Sequence, residues 1–301
     1  MSYRVTRCVG CGGPDLEFRA AVVAPFVAAR VFKRPPTICR IARCRGCGLS
    51  FFEDRFDETE VASLYADYRS PAYYRARHHW EPWYTRAVNA DLGGAAEVAA
   101  RRKVYQGILA RHAPDVVVDT VLDYGGDRGQ LMVGGPGRSH HVYDISGVEP
   151  EPGMIRIPGA AALVGRTFDL VLLCEVLEHL ADPSGTLASV AAHVRPGGLL
   201  YVTVPNREFP LGDIPAGEWY PAWLQLILRN RWTTLAADFW STGVRAKLGR
   251  VPPLGFVKMH EHINFFDPAS LSVMLRRAQM DVLACEPYGK GGLVALGRRL
   301  S

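Results

Sequence analysis

The sequence lacks a hydrophobic run long enough to cross a bilayer. Its longest apolar stretch near the front, Ala20–Val31, falls short of the roughly 20 residues a spanning helix needs and is interrupted by Pro25. Met1–Cys8 holds no apolar run behind a basic stretch, so nothing there resembles a secretory leader. A cytoplasmic protein is the expectation. Internal repeats and low-complexity tracts are also missing, which argues against a solenoid or an extended disordered array. Cysteine is sparse, with seven in 301 residues, and without signs of secretion a disulfide framework is not expected. Charge of one sign is not in great excess either: the formal net charge is +5.

That charge is unevenly placed. The first fifty residues hold nine basic side chains (Arg4, Arg7, Arg19, Arg30, Lys33, Arg34, Arg40, Arg43 and Arg45) against Asp15 and Glu17. A basic front end suits an anionic partner, either a phosphate-bearing substrate or RNA. A solvated basic face explains it equally well.

Three regions follow one another: 1–52 with short β-like runs, 53–114 helical and aromatic-rich, and 115–301 alternating strands and helices. In the second, a helix over Ala95–His112 is stopped by Pro114. In the third, Val116–Tyr124, His141–Ile145 and Phe168–Cys174 read as buried parallel strands. Asp182-Pro183 caps and opens a helix whose apolar face is Leu187, Val190, Ala191 and Val194, and Leu199–Val204 is the next strand. Asp267-Pro268 opens another helix, burying Leu271, Met274, Leu275 and Ala278. Asp281–Glu286 and Leu293–Gly297 suit a closing antiparallel hairpin. The fold class is α/β, a Rossmann-like open sheet. An insertion at about 207–259, carrying Trp219, Trp223, Trp232, Phe239 and Trp240, is too long for a simple connection, and a helical lid is expected. Plain packing is the better account of any one of those aromatics.

Cys8-Val9-Gly10-Cys11 and Cys44-Arg45-Gly46-Cys47 are two C-x2-C knuckles separated by thirty-two residues. Each lets two thiolates from one tight turn meet one ion, and together they supply the four sulfurs of a closed tetrahedral zinc site. Such a site holds structure rather than doing chemistry. Two unrelated pairs, or a redox dithiol, are the alternatives. Cys39, Cys174 and Cys285 lie in apolar surroundings and read as core.

After the strand ending at Asp123 come Tyr124-Gly125-Gly126-Asp127-Arg128-Gly129, glycines that let backbone approach a ligand at the carboxyl end of a sheet. Asp144 closes the next strand, where a carboxylate can grip two ribose hydroxyls. With Phe168–Leu180, Arg195–Asn206 and His260–Phe266, these segments resemble the class I methyltransferases that use S-adenosylmethionine. The cysteine pairs, followed by Gly48-Leu49 and a tyrosine-rich helix, resemble a subset with an N-terminal zinc ribbon. The resemblance implies cofactor contacts at Asp123, Gly125, Gly126, Gly129, Asp144 and Glu175, the last near the cofactor's amino-acid end. It does not specify the acceptor. The family usually spaces its glycines as D-x-G-x-G-x-G; here Asp127 stands at the middle position. Gly134-Gly135-Pro136-Gly137 and the short stretch 146–167 imply that the first helices of the sheet are trimmed or lost.

The loop Glu175–Asp182 leaves a strand beside that site, so Glu178 and His179 can face an acceptor. Histidine titrates near neutrality, which makes His179 the first candidate base; packing or capping is the alternative. For His260 and His262 a structural role is favoured. Three functions are compatible: a methyltransferase for a small metabolite, plausibly a sugar or phosphate-linked intermediate; an RNA methyltransferase gripping phosphates with the basic module; and a non-catalytic cofactor-binding or interaction protein. The first is favoured.

Overall fold

The computed structural model describes residues 3–68, 70–91, 94–146, 148–206, 211–289 and 291–300. At the front, β1 (Tyr3–Arg4) leads to β2 (Leu16–Val23), β3 (Ile38–Cys44), β4 (Ser50–Phe52) and β5 (Asp54–Arg55), with a short helical turn, α1 (Pro25–Val27), after β2. Four helices follow: α2 (Glu58–Tyr65), α3 (Pro71–Trp80), α4 (Arg86–Asp91) and α5 (Ala95–His112). Helix α2 starts on a capping box in which Asp57 and Glu60 satisfy each other's backbone N–H.

The large sheet is built from β6 (Thr120–Tyr124), β7 (Ser139–Tyr143), β8 (Ile155–Arg156), β9 (Phe168–Cys174) and β10 (Val194–Pro205), with α6 (Pro183–Ala191) between the last two. These five strands pair in parallel. After β10 come α7 (Trp219–Leu228), α8 (Arg231–Leu248), β11 (Lys258–Met259), β12 (Asn264–Phe265), α9 (Pro268–Arg277), β13 (Met280–Tyr288) and β14 (Gly292–Arg299). The order across the sheet is β13-β14-β10-β9-β6-β7-β8, and β14 runs antiparallel to both its neighbours. This is the expected Rossmann-like α/β sheet with its antiparallel ending. The chain reverses on either side of β6, so the crevice beyond the carboxyl ends of β6 and β9 is the topological switch point where such sheets bind ligands.

The expected shortening of the first helices is observed. Single 3-10 turns at Gln130–Met132 and Ala160–Leu163 stand where longer crossover helices would fit. Val194 opens β10 rather than closing the face of α6, because the helix is capped at Ala192.

The front sheet has the order β11-β2-β3-β4-β12. Its two edges come from residues 258–265, so hydrogen bonding crosses the expected boundary at residue 52. The cysteine knuckles also share a core with α9: Cys8, Cys44, Cys47 and Leu49 cluster with Leu271, Met274 and Leu275. Burial therefore joins the first and last parts of the chain. Of the insertion, residues 207–210 lie outside the described residues; from 211 onward it is helical, as expected, and contributes α7 and α8. No described helix is long and apolar enough to cross a membrane.

Candidate active site and metal centre

The turn after β6 is held open by backbone that needs glycine. Gly125 has a φ of +73°, and a Cβ there would lie 2.7 Å from a Val176 methyl carbon. A Cβ on Gly126 would lie 2.2 Å from the Asp123 carboxyl carbon. Asp127 takes a φ of +52°, the left-handed conformation the missing glycine would have adopted, and aspartate is among the few side chains that tolerate it. The turn survives its substitution. Gly129 closes it at a φ of +78°.

Asp144, at the end of β7, accepts the backbone N–H of Asp127 at 2.9 Å and of Ser146 at 2.8 Å, one on each oxygen. Each oxygen keeps a lone pair, so the carboxylate is both fixed and still able to accept. Asp123 is fully buried; burial pushes its carboxyl up to about 7, opposed by Arg101 and reinforced by Asp144 and Asp127.

Across the carboxyl ends of β6, β9 and β10 lies a set of buried oxygens without a hydrogen-bond partner: Asp123 Oδ1, Glu175 Oε1, Thr203 Oγ1 and Asn206 Oδ1. Glu175 also sits at a φ of +57°, a strained conformation for a glutamate. Orphaned buried acceptors cost about 1–3 kcal/mol each, and a hydroxyl-rich, cationic ligand would satisfy them. Helix α5 brings Arg101 close enough that its charge acts on Asp123 and Glu175. Sequence reasoning missed Arg101, because a lone arginine in a helix carries no signal until the helix is placed over the sheet.

The loop after β9 buries Glu178 and half-buries His179. The His179 Nδ1 lies 3.1 Å from the Glu261 carbonyl oxygen and 2.9 Å from the Tyr65 hydroxyl. The carbonyl can only accept while the hydroxyl can donate or accept, so the two contacts fix the ring's position and leave both tautomers compatible with it; Nε2 lies 3.7 Å from a Glu178 carboxyl oxygen. Burial lowers the His179 pKa, with Glu261 pulling it back up, so the ring is neutral at pH 7. Glu178 is pushed well above the carboxylate range by burial and by neighbouring Glu175. The His262 ring stands 4.6 Å from His179, edge to face. Ligand atoms of Glu178, His179 and His262 lie within 4.8 Å of one another, so they could share a proton or close on a cation. His260 faces Glu81 at 3.1 Å, inside a buried charge network with Arg77, Lys258 and Asp238.

The four knuckle cysteines converge as well. Their sulfurs all lie within 4.8 Å of one another, with Cys8–Cys47 at 3.6 Å and Cys11–Cys44 at 3.5 Å. A tetrahedron with metal–sulfur bonds of about 2.3 Å has edges of about 3.8 Å, so the donor set fits one ion with little movement. Backbone N–H groups of Gly10, Cys11 and Gly13 point at the Cys8 and Cys11 sulfurs at 3.4 Å. The Cys8 thiol is held down to about 5 by its bond with Cys47, while burial pushes Cys44 up to about 11. Cys39 and Cys174 are buried and Cys285 half-buried, away from this cluster.

Part of the basic front end is paired with acids within the fold. Arg19 reaches Glu17 at 2.5 Å, Arg4 reaches Asp54 at 2.9 Å, and Arg40 pairs with Glu53.

A seven-stranded open sheet with a glycine turn and unsatisfied buried acceptors at its switch point is the frame of an α/β enzyme that binds a nucleoside cofactor. Residues 98–284 match the family described as "Methyltransferase domain", and the chain belongs to that family of S-adenosylmethionine-dependent methyltransferases. Among curated proteins it is similar to a ubiquinone biosynthesis O-methyltransferase of Parvibaculum lavamentivorans, 37% identical over 100 residues, covering 29% of this chain and 38% of that one. A second, from Rhizobium rhizogenes, is 54% identical over 46 residues, covering 15% and 18%. The aligned part thus spans well under half the length of these relatives. Among solved structures it resembles magnesium protoporphyrin IX methyltransferase from Synechocystis PCC 6803 with bound SAH (12% identity, 81% of this chain and 100% of that chain, TM-score 0.46). It also resembles N,N-8-amino-8-demethyl-D-riboflavin dimethyltransferase from Streptomyces davawensis (17% identity, 78% and 62%, TM-score 0.45).

Proposed function

We propose that the protein methylates a hydroxyl of a small metabolite, with His179 as general base. One observation carries this reading: His179 is anchored at Nδ1 by the Tyr65 hydroxyl and the Glu261 carbonyl, with its pKa lowered by burial, in the loop leaving the cofactor crevice. S-adenosylmethionine supplies an already activated methyl group, so the protein's work is to align the acceptor and take its proton. In this reading Asp144 accepts from the ribose, Asp123, Gly125, Gly126 and Gly129 shape the nucleoside wall, Glu175 meets the ammonium and Arg101 the carboxylate. Glu178, its pKa pushed up by burial and by Glu175, lies 3.7 Å from His179 Nε2 and is the second group toward the acceptor. The curated relatives act in ubiquinone biosynthesis, which supports a small-molecule acceptor; a sugar or phosphate-linked intermediate is the class to test beside phenols. The four cysteines hold a structural zinc, and regions 1–52, 53–114 and 115–301 act as its module, a helical bridge and the methyltransferase domain.

The test is release of S-adenosylhomocysteine against sugar nucleotides, small phenols and total RNA. Turnover with a small molecule that His179→Ala abolishes supports the proposal. Turnover with RNA alone, falling steeply with salt, would replace it with the RNA reading.

A further inference from the structure

Helix α8 is turned inside out. An amphipathic helix on a globular protein ordinarily hides its apolar stripe. Here the buried side carries a single leucine, Leu235, beside Thr234, Asp238 and Ser241, which are committed to polar contacts: Asp238 with Lys258 Nζ at 2.8 Å, and Ser241 Oγ accepting the Phe256 N–H at 2.9 Å. The opposite side carries Trp232, Phe239 and Trp240, which are 71%, 66% and 54% exposed. Spacings of seven and eight residues put all three on one stripe, with exposed Ala236 between them. Phe239 touches Trp83 and Trp232 lies under Arg231, but these contacts leave more than half of each of the three side chains in solvent, so packing alone does not account for them, contrary to the sequence expectation. Nor does a lid over the crevice, since the stripe points to solvent while the inner face is held by the buried charge network.

The flanking charge says what would cover the stripe. Residues 211–254 hold five basic side chains and three acidic ones. Of the acids, Asp238 is buried in its ion pair, Asp213 accepts the Val251 N–H at 3.2 Å, and Glu218 alone is exposed. Exposed Arg229 precedes α8, and exposed Lys247 and Arg250 lie at its other end. Tryptophan and phenylalanine between terminal cations are the composition of a helix that lies in the headgroup layer of an anionic bilayer. At 18 residues, α8 is about 27 Å long, enough to lie along a surface.

We propose that the outer face of α8 docks the protein onto anionic lipid bilayers, apolar stripe inserted and cations on the headgroups. The occupant is the membrane surface itself; a second copy of the chain is the competing occupant. The test uses the full chain with sedimented vesicles of phosphatidylcholine, with and without phosphatidylglycerol. The expected result is binding to the phosphatidylglycerol vesicles with a blue shift of tryptophan emission, weakened at high salt. The variant W232S/F239S/W240S should lose at least about tenfold in partitioning with an unchanged thermal midpoint, as its positions are solvent-facing. R229Q/K247Q/R250Q should weaken binding to the anionic vesicles only. Absence of binding by the intact chain would overturn the proposal. So would equal binding to both vesicle types, or a dimer in sedimentation velocity that the aromatic variant dissolves.

Discussion

The backbone carbonyl of Glu261 lies 3.1 Å from Nδ1 of His179, a residue 82 positions earlier in the chain. That contact, with the Tyr65 hydroxyl 2.9 Å from the same nitrogen, fixes where the ring stands and turns Nε2 toward Glu178. A main-chain acceptor does not titrate, so this anchor is available to the ring in both its neutral and its protonated form.

Replacing His179 with glutamine keeps a hydrogen-bonding side chain but removes the base. The expected loss in kcat is about 10²–10⁴-fold with cofactor affinity unchanged, read by steady-state kinetics beside calorimetry. A parallel loss of cofactor binding would mean the ring is structural.

The pH profile carries a sign. Burial lowers the His179 pKa, and the negative charge of Glu261 raises it. Activity should therefore climb with pH on a limb below the ordinary histidine value of about 6.5 and be flat by neutrality. Glu261→Gln removes the charge that favours the imidazolium, so the limb should move further toward acid. A limb moving toward alkali would contradict this placement of Glu261.

Asp144→Ala should weaken cofactor binding about tenfold to hundredfold, the range for losing hydrogen bonds to a charged acceptor, while metal content stays intact. Arg101→Gln should weaken it about tenfold if the guanidinium meets the cofactor's carboxylate. Calorimetry with S-adenosylhomocysteine distinguishes both from a folding defect.

Cys8→Ser or Cys44→Ser should abolish bound zinc in elemental analysis and lower the thermal midpoint of the whole chain. The reason is the shared core, where the knuckles pack on Leu271, Met274 and Leu275 of α9. Full zinc content in either variant would remove the assignment.

Lys258 bridges Glu81 at 2.7 Å and Asp238 at 2.8 Å inside the fold. Lys258→Met leaves both carboxylates buried without that charge, and a loss of about 3–5 kcal/mol in denaturant unfolding is expected. Acid acts on the same network. Burial raises the Glu261 pKa, but His260 and Arg77 outweigh it and hold the group down to about 2. Its contribution is complete above the unfolded value of about 4.3 and fades as pH falls toward 2. An acid limb of stability in that window is the expected outcome.

Much of the frame was legible because its signals are local. Phe168–Cys174 and Ala95–His112 were readable to the residue from apolar runs and a stopping proline. The caps at Asp182 and Asp267 were readable because capping uses residues three positions apart. Asp127 in place of glycine was visible, but that the turn would keep its shape was not. Arg101, the Glu261 carbonyl and the outward face of α8 left no pattern to find.

The sequence by itself determined four of the five parallel strands, though not the short β8 or the start of β6 at Thr120 rather than Val116, together with their hairpin ending, the cysteine pairs and the glycine turn, since periodicity, capping and short-range sterics act within a few residues. Only the tertiary structure decided that residues 258–265 complete the front sheet, which groups anchor His179, and which side of α8 meets water. Those outcomes depend on elements far apart in the chain, and burial is a property of the neighbours that arrive rather than of the segment they cover.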